Sequence, residues 1–470
     1  MNTIGRDKWP DWVKKAVGDE RNIEIKEHRG RYYVYRFKSG WDRKRKRPTR
    51  TSEYLGVVTK QGIRGRYEAT LKGVYEYGHI AFVWRVLEEN RILDALARNF
   101  PDEWKVILVF AMNRLIDPRP MKSMKYWYEK TYLVKQLPAP VSPRTISEVL
   151  ESIGGDWKSQ LAFFQEMRRN GEKLVYDGSV IFSSSKENPI LEVGYNKDKL
   201  LLPKANVVMA FSHDRFFPIF FRVIPGSIHE ITTLNVLLEE LGGGIVLVMD
   251  KGFTSLPNAK KLHGKASFIM PLKRNSSMID YGKKLGSFFM YRKRPIKHSH
   301  YKCGEFFVYL YEDLALRYEE EKTYLTLLSK GKGVKFKEEW AGKIALLSDM
   351  KTDPKEVYEM WKIRDEVEKA FDVLQNMLDT DRPHVRKEHT FRGYLFSSFI
   401  GLMAYYLILK RLKDAGLNNK VSVSDVLLEL SKVYKLEIGK KEMISEVSKR
   451  ARRLLKALNM RNLITKTVRR

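Results

Sequence analysis

Along this chain the spacing of apolar residues changes with position, and each spacing predicts an element. Tyr, Val and Phe crowd Arg31 to Lys38 and Arg50 to Thr59, on either side of the basic, glycine-containing stretch Ser39 to Thr49. Such β-favouring runs about a turn predict a hairpin with its tip at Asp42 to Arg50. From His79 to Phe100 apolar residues recur at helical spacing, Pro101 and Asp102 open a further helix through Ile116, and Asp117 to Pro120 stops it. Ser142 with Pro143 marks another start and Gly154 and Gly155 its end, and Trp157 to Asn170 is expected to be helical as far as Gly171.

At Lys173 the rhythm shortens. Leu174 to Ser183, Ala205 to Ser212 and Phe216 to Ile224 read as consecutive strands, followed by a helix from Glu230 to Leu241 and the glycine stop Gly242 to Gly244. The apolar strand Ile245 to Met249, a short helix near Pro257 to Leu262 and the strand Ala266 to Pro271 complete the pattern. Strands followed by alternating helix and strand predict a mixed α/β sheet. Asn275 to Met350 is less regular and reads as a β-rich insertion, with strands expected around Glu305 to Tyr311, Tyr324 to Ser329 and Lys343 to Leu347. Asp353 and Pro354 open a helix to about Leu378, Phe391 to Leu412 forms another, and the tail from Asn418 is expected to be helical. The implied domains are 1–70, a basic hairpin region; 71–170, helical; 171–274 and 351–415, one catalytic domain in two parts; 275–350, the insertion; and 416–470, a basic tail.

Charge changes this picture. Lys and Arg number 87 against 57 Asp and Glu, a net charge of +30, while 43% hydrophobic residues mark a chain able to fold. So basic a surface calls for a polyanion, nucleic acid or anionic membrane, and each DNA phosphate neutralised releases a condensed counterion. The longest uncharged run, Gly393 to Leu409, has 17 residues and contains Ser397 and Ser398. It falls short of the ~20 apolar residues of a membrane span and reads as a buried core helix, so no membrane partner is expected. Met1 to Asp7 lacks the apolar core of a secretion signal. A cytoplasmic protein, associated with the nucleoid when bound to DNA, is expected. The single Cys303 excludes an intrachain disulfide. Arg43, Lys44, Arg45, Lys46, Arg47 and Arg50 at the hairpin tip read equally as a phosphate-binding run or a solvated loop. Lys449 to Arg470 forms a second basic arm with the same two readings.

The chemistry rests on acids. Asp177 lies within the strand-like LVYDGSVIF, and Asp250 ends the apolar GIVLVMD just before Lys251. A carboxylate at a strand end in an apolar sheet is costly to bury without a partner, and a metal ion supplies one. Taken singly, each Asp before a turn is an ordinary turn signal. Glu368 alters the balance: in YEMWKIRDEVEKAFDVLQNML, Trp361, Arg364 and Glu368 stand at i, i+3 and i+7, along one helical face. Three acids suffice to hold two divalent ions about 4 Å apart, the arrangement that activates a nucleophile and stabilises a leaving oxygen in phosphoryl transfer. Magnesium, a hard ion preferring oxygen, suits the role, with manganese as substitute.

With those residues in view, the sequence resembles the DDE insertion-sequence transposases with a ribonuclease H-like catalytic domain, the group marked by Tyr-x2-Arg-x3-Glu-x6-Lys. The resemblance spans roughly Lys173 to Leu412, with LVYDGS and VLVMDKGF in the family's order and context. It implies a ribonuclease H-like mixed sheet flanked by helices and interrupted by the β-rich insertion, for which the 118 positions from Asp250 to Glu368 leave room. It implies catalysis and metal binding by Asp177, Asp250 and Glu368, DNA contacts near Lys251 and Arg364, and double-stranded DNA with transposon ends as partner. It further implies nicking at the transposon end followed by attack of the freed 3′ hydroxyl, with or without a hairpin. Joining two ends requires both to be held, so a homodimer on DNA is expected. Two positions depart from the pattern: Trp361 stands where Tyr is usual, and Gln375 stands at the Lys position. The second removes a cation expected near DNA.

Other groupings weigh less. His298, His300 and Cys303 lack further cysteines to complete a structural zinc set and read as metal-free. No G-x-x-x-x-G-K-S/T loop is present, so ATP use is not supported. Trp340 reads as packed, with stacking on an extruded base as the rival, and Tyr394, Phe396, Phe399, Tyr405 and Tyr406 read as core. Beside the transposase stand two alternatives, a structure-selective nuclease using the same acids and a DNA-binding protein whose chemistry is lost. The intact acid triad argues against the latter.

Overall fold

The structure is a computed structural model, and it describes residues 2–42, 47–65, 71–169, 171–182, 188–193, 203–226, 240, 246–249, 256–331, 335–378, 385–439 and 441–464. The chain divides into two compact units, residues 1–74 with 436–443 and residues 75–435 with 444–470.

In the smaller unit the predicted hairpin is present and longer than its apolar runs suggested, Arg31–Asp42 pairing antiparallel with Arg47–Thr59. It is the centre of a five-stranded antiparallel sheet that also contains Asn2–Ile4, Ile23–His28 and Gly62–Gly65. Alternation explains the layering. Val34 and Ile25 face a small core with Trp9, Val13, Val17 and Val58, whereas Tyr33, Tyr35 and Tyr54 lie together on the strands' other residues, with Tyr35 and Tyr54 centroids 5.2 Å apart.

The larger unit begins with helices Gly78–Glu89, Ile92–Asn99, Trp104–Ile116, Pro143–Gly155 and Trp157–Met167, close to the expected bounds. The cap read from Ser142 is made: its hydroxyl accepts from Thr145 N–H at 3.0 Å. Three antiparallel strands follow, Leu174–Phe182 beside Pro203–Ser212 beside Phe217–Pro225. The helix expected from Glu230 to Leu241 lies, apart from Glu240, outside the described residues. Val246–Val248 lies alongside Leu174–Phe182 and pairs parallel with Ser267–Pro271.

The insertion does not form a sheet of its own. Lys343–Ser348, Phe306–Asp313, Arg294–Cys303 and Ser287–Tyr291 add antiparallel to Ser267–Pro271, extending one sheet to six strands. Tyr324 to Ser329, expected as a strand, belongs instead to the helix Leu314–Ser329. Its Leu, Glu and Lys residues favour helix, and Asp313 caps it by accepting from Ala315 N–H at 2.9 Å. The tail is likewise not helical throughout: between helices Val423–Ser431 and Lys449–Ala457 run the strands Tyr434–Ile438 and Lys441–Ile444. Tyr434, Leu436 and Ile438 alternate with charged residues, and Gly439, at φ 61°, supplies the turn. The helix opened by Asp353 is interrupted at Ile363, giving Pro354–Lys362 and Arg364–Asp372, and then widens into a π turn at Val373–Met377.

Glu388–Asp414 is long and apolar enough to cross a membrane by length and composition. Here it is a core helix, packed on Trp104–Ile116, Pro143–Gly155 and Phe217–Pro225. Tyr394, Phe396, Phe399 and Tyr406 are buried in it, and Phe399 stacks on Phe221 at 4.8 Å. Two glycines set the closest approach. A Cβ on Gly393 would meet the Leu150 carbonyl oxygen at 1.9 Å, and one on Gly154 would meet that of His389 at 1.8 Å.

His79, 1% exposed, carries an imidazole whose pKa burial lowers to about 4, so its 3.5 Å contact with Glu76 is not an ion pair. Gly393→Ala should cost about 3 kcal/mol, the upper end for overpacking against backbone, and is checked by urea denaturation. Because the unfolded imidazole takes up its proton first as pH falls, stability should decline by about 3 kcal/mol between pH 6.5 and 4. His79→Gln should remove that component, measured as the difference between the two proteins' denaturation midpoints across this range.

Candidate active site

Asp177 sits midway along Leu174–Phe182, opposite Met209 of the neighbouring strand. Leu174, Val175 and Tyr176 are buried, the strand is half-exposed from Asp177 to Val180, and Ile181 is buried again, so the acid stands where the apolar strand opens. Its Oδ1 accepts from the Gly178 N–H at 2.9 Å. The strand's entrance is fixed by a buried acid just before it: Glu172 takes a two-pronged guanidinium from Arg215, at 2.6 and 3.0 Å, and also accepts from the Ser212 hydroxyl. Arg215 further donates to the Met167 carbonyl at 2.7 Å, joining helix, strand and turn. This bidentate pair ties the start of the strand to the turn that follows Pro203–Ser212.

Val246–Val248 brings the chain to Met249, whose N–H donates to the Ile269 carbonyl at 3.0 Å. Asp250 and Lys251, predicted as the second acid and its neighbouring cation, lie outside the described residues.

The third acid is placed by Arg364–Asp372, which packs on Leu174–Phe182 and Pro203–Ser212 through the buried Val367, Ala370 and Phe371. Glu368 is on the exposed side, 57% accessible, where Arg364 holds it at 3.1 Å. The helix bearing Glu368 is therefore seated on the strand bearing Asp177. Trp361, in the preceding helix, keeps an aromatic at its position, half-buried with its ring 5.7 Å from Tyr358. Tyr358 is fully buried, and burial raises its hydroxyl pKa.

Sequence reasoning missed two features of this helix. Gln375 reaches out of the π turn and donates to the Val180 carbonyl of the Asp177 strand at 3.0 Å, so the residue standing in for the family's Lys is engaged inside the protein. Glu366, 5% exposed, accepts from Lys369 at 3.0 Å and from Arg292 at 3.3 Å, and its carbonyl takes the Tyr406 hydroxyl at 3.1 Å. Arg292 lies in the turn of the insertion's hairpin, where it and Lys293 have φ of 46° and 67°. The period of the helix would have flagged an inward Glu366, but not its partner.

The remaining predicted DNA contacts are in the smaller unit. Arg47 is exposed, while Arg50 pairs with Glu24 at 2.8 Å and lies over the Phe37 ring at 4.0 Å. Arg43, Lys44, Arg45 and Lys46 lie outside the described residues. In the insertion, Trp340 stacks on Tyr281 and His300 on Tyr309, and His298 is held by the rings of Phe289 and Tyr311. Among the described residues no three His, Cys, Asp or Glu side chains gather as a metal site. Asp177 and Glu368 nevertheless supply hard carboxylate oxygens on two elements that pack together, a donor set that suits magnesium.

The arrangement defines a mixed α/β protein with one acid, Asp177, on a strand and another, Glu368, on the helix covering it. Residues 171–407, just over half of the chain, match the family model of the transposase DDE domain, and the chain belongs to that family. Among solved structures it is similar to a piggyBac transposase synaptic complex with hairpin DNA, at 14% identity and a TM-score of 0.39 over 78% of this chain and 77% of that one. No curated protein matches the sequence.

Gln375→Ala leaves the Val180 carbonyl without this donor and should cost about 1–2 kcal/mol. Gln375→Glu sets a carboxylate against the same carbonyl and should cost more. Urea denaturation of the three proteins checks the order.

Proposed function

We propose that the protein is a DNA transposase that cuts and joins transposon ends at Asp177, Asp250 and Glu368. The observation that supports this most is the seating of the Glu368 helix on the Asp177 strand within the region matching the transposase DDE domain. The proposed core is ribonuclease H-like, residues 171–274 and 351–415 with 275–350 inserted. Three antiparallel strands, a fourth beside the first and a fifth parallel to the fourth favour that reading. Asp177, Asp250 and Glu368 would hold two magnesium ions, or manganese, and such ions supply a stronger nucleophile at neutral pH and a sink for charge on the leaving oxygen.

The chain's own residues do the positioning. Arg364, paired with Glu368, orients that carboxylate and is a proposed contact for a DNA phosphate. Gln375 and the buried Glu366 hold the helix at its height over the strand. Lys251 and the basic hairpin tip, Arg43 to Arg47 with Arg50, are proposed DNA contacts. Two ends held together imply a homodimer on double-stranded DNA, in the cytoplasm and on the nucleoid.

The test is cleavage of labelled DNA carrying the element's own ends, with magnesium or manganese, by the intact protein and by Glu368→Gln. Cleavage and joining should fall by about a thousandfold or more in the variant, equivalent to ~4 kcal/mol, with binding retained. Cleavage that survives the substitution, or needs no metal, overturns the reading, and nicking without joining assigns a nuclease of the same fold.

A further inference from the structure

The helix Lys449–Ala457 has two opposed faces. Ala451, Leu454, Leu455 and Leu458 are buried, while Lys449, Arg452, Arg453 and Lys456, at i, i+3, i+4 and i+7, are exposed as one stripe along the opposite side. No acid occurs between Val447 and Arg470, and none of the four cations has an ion-pair partner among the described residues. Arg450, on the flank, is the cation that lies near acids, Asp425 and Glu429.

On several other helices, basic residues are matched by acids along the same face. Arg85 pairs with Glu88 and Glu89, Lys125 with Glu129, Arg144 with Glu148 and Lys355 with Glu359. On Lys449–Ala457 the cations are neighbours of one another, and like charges three and four apart repel. Cations also occupy its first turn, where the helix dipole favours anions, with no acid there to offset them. The local arrangement is thus unfavourable in the free protein, and a line of phosphates relieves both terms.

We infer that Lys449, Arg452, Arg453 and Lys456 form a sequence-independent docking surface for the phosphate backbone of duplex DNA, separate from the acid-bearing site. The stripe is about 10 Å long at 1.5 Å per residue, roughly three base steps of duplex, and four cations can neutralise up to about four phosphates. The inference deepens the transposase reading by naming where DNA outside the reacting strands is held. It does not depend on the acids.

The experiment measures binding of the full-length protein to a random-sequence duplex, without divalent metal, as salt is varied. Keeping metal and cleavage out separates failure here from failure of the catalytic reading. The stripe variant is K449Q/R452Q/R453Q/K456Q. A control of equal charge change, R85Q/K125Q/R144Q/K355Q, neutralises cations that are already paired. The slope of log affinity against log salt should fall by about 3 to 4 in the stripe variant, so that between about 50 and 200 mM salt the native protein loses roughly a hundredfold more affinity than the variant does. The control should change by less than about 1. R452K/R453K, which keeps the charges, should retain the native slope. If the fourfold variant does not fold, R452Q/R453Q should lose about 2 in slope and decides the matter. An unchanged slope in a folded stripe variant, or equal loss in stripe and control variants, overturns the inference. So does a stripe variant that loses binding to phosphatidylserine vesicles while keeping its DNA slope, since the surface then serves a membrane.

Discussion

Burial of the helix Glu388–Asp414 is the constraint on which the larger unit depends. Its apolar residues meet helices on one side and the strand Phe217–Pro225 on the other. Each large side chain removed from water contributes roughly 1.5–3 kcal/mol, but only where backbones come close enough for contact. Gly154 and Gly393 make that approach possible. The strand pressed on this helix pairs with Pro203–Ser212, which pairs with Leu174–Phe182, so the position of Asp177 is passed through the sheet from the core helix.

A second constraint acts on the opposite side of Asp177. In Arg364–Asp372, residues two apart point to nearly opposed faces, and the helix uses this to separate two acids. Glu366 is inward and paired with Lys369 and Arg292, whereas Glu368 is outward beside Arg364. An unpaired charge at the depth of Glu366 would be severely destabilising, so the hairpin that brings Arg292 is coupled to the helix that presents Glu368. The strands Ser287–Tyr291, Arg294–Cys303, Phe306–Asp313 and Lys343–Ser348 accordingly belong to the same sheet as Val246–Val248 and Ser267–Pro271.

Charge follows a similar division between paired and unpaired. The net charge of +30 is not spread evenly. Many exposed Arg and Lys residues are matched at i, i+3 or i+4 by acids, a pattern that supports the helices bearing them. The outer face of Lys449–Ala457 has no such matching, and its helix is held by the buried side alone.

By itself the sequence determined what is decided within a turn or two of chain. The period of Leu174 to Ser183 specified a strand with Asp177 in it, Ser142 and Asp353 specified helix starts that their side chains cap, and the run about Gly393 specified a core helix. Where a short apolar run had no clear period the outcome was open, and Tyr324 to Ser329 went to helix because Asp313, a full helix away, caps it. Tertiary structure alone decided the partners. Gln375 meets Val180 across 195 positions and Arg292 meets Glu366 across 74, and no local signal encodes either meeting. Side-chain period tells which way a residue points, but what stands there depends on how sheets and helices have packed.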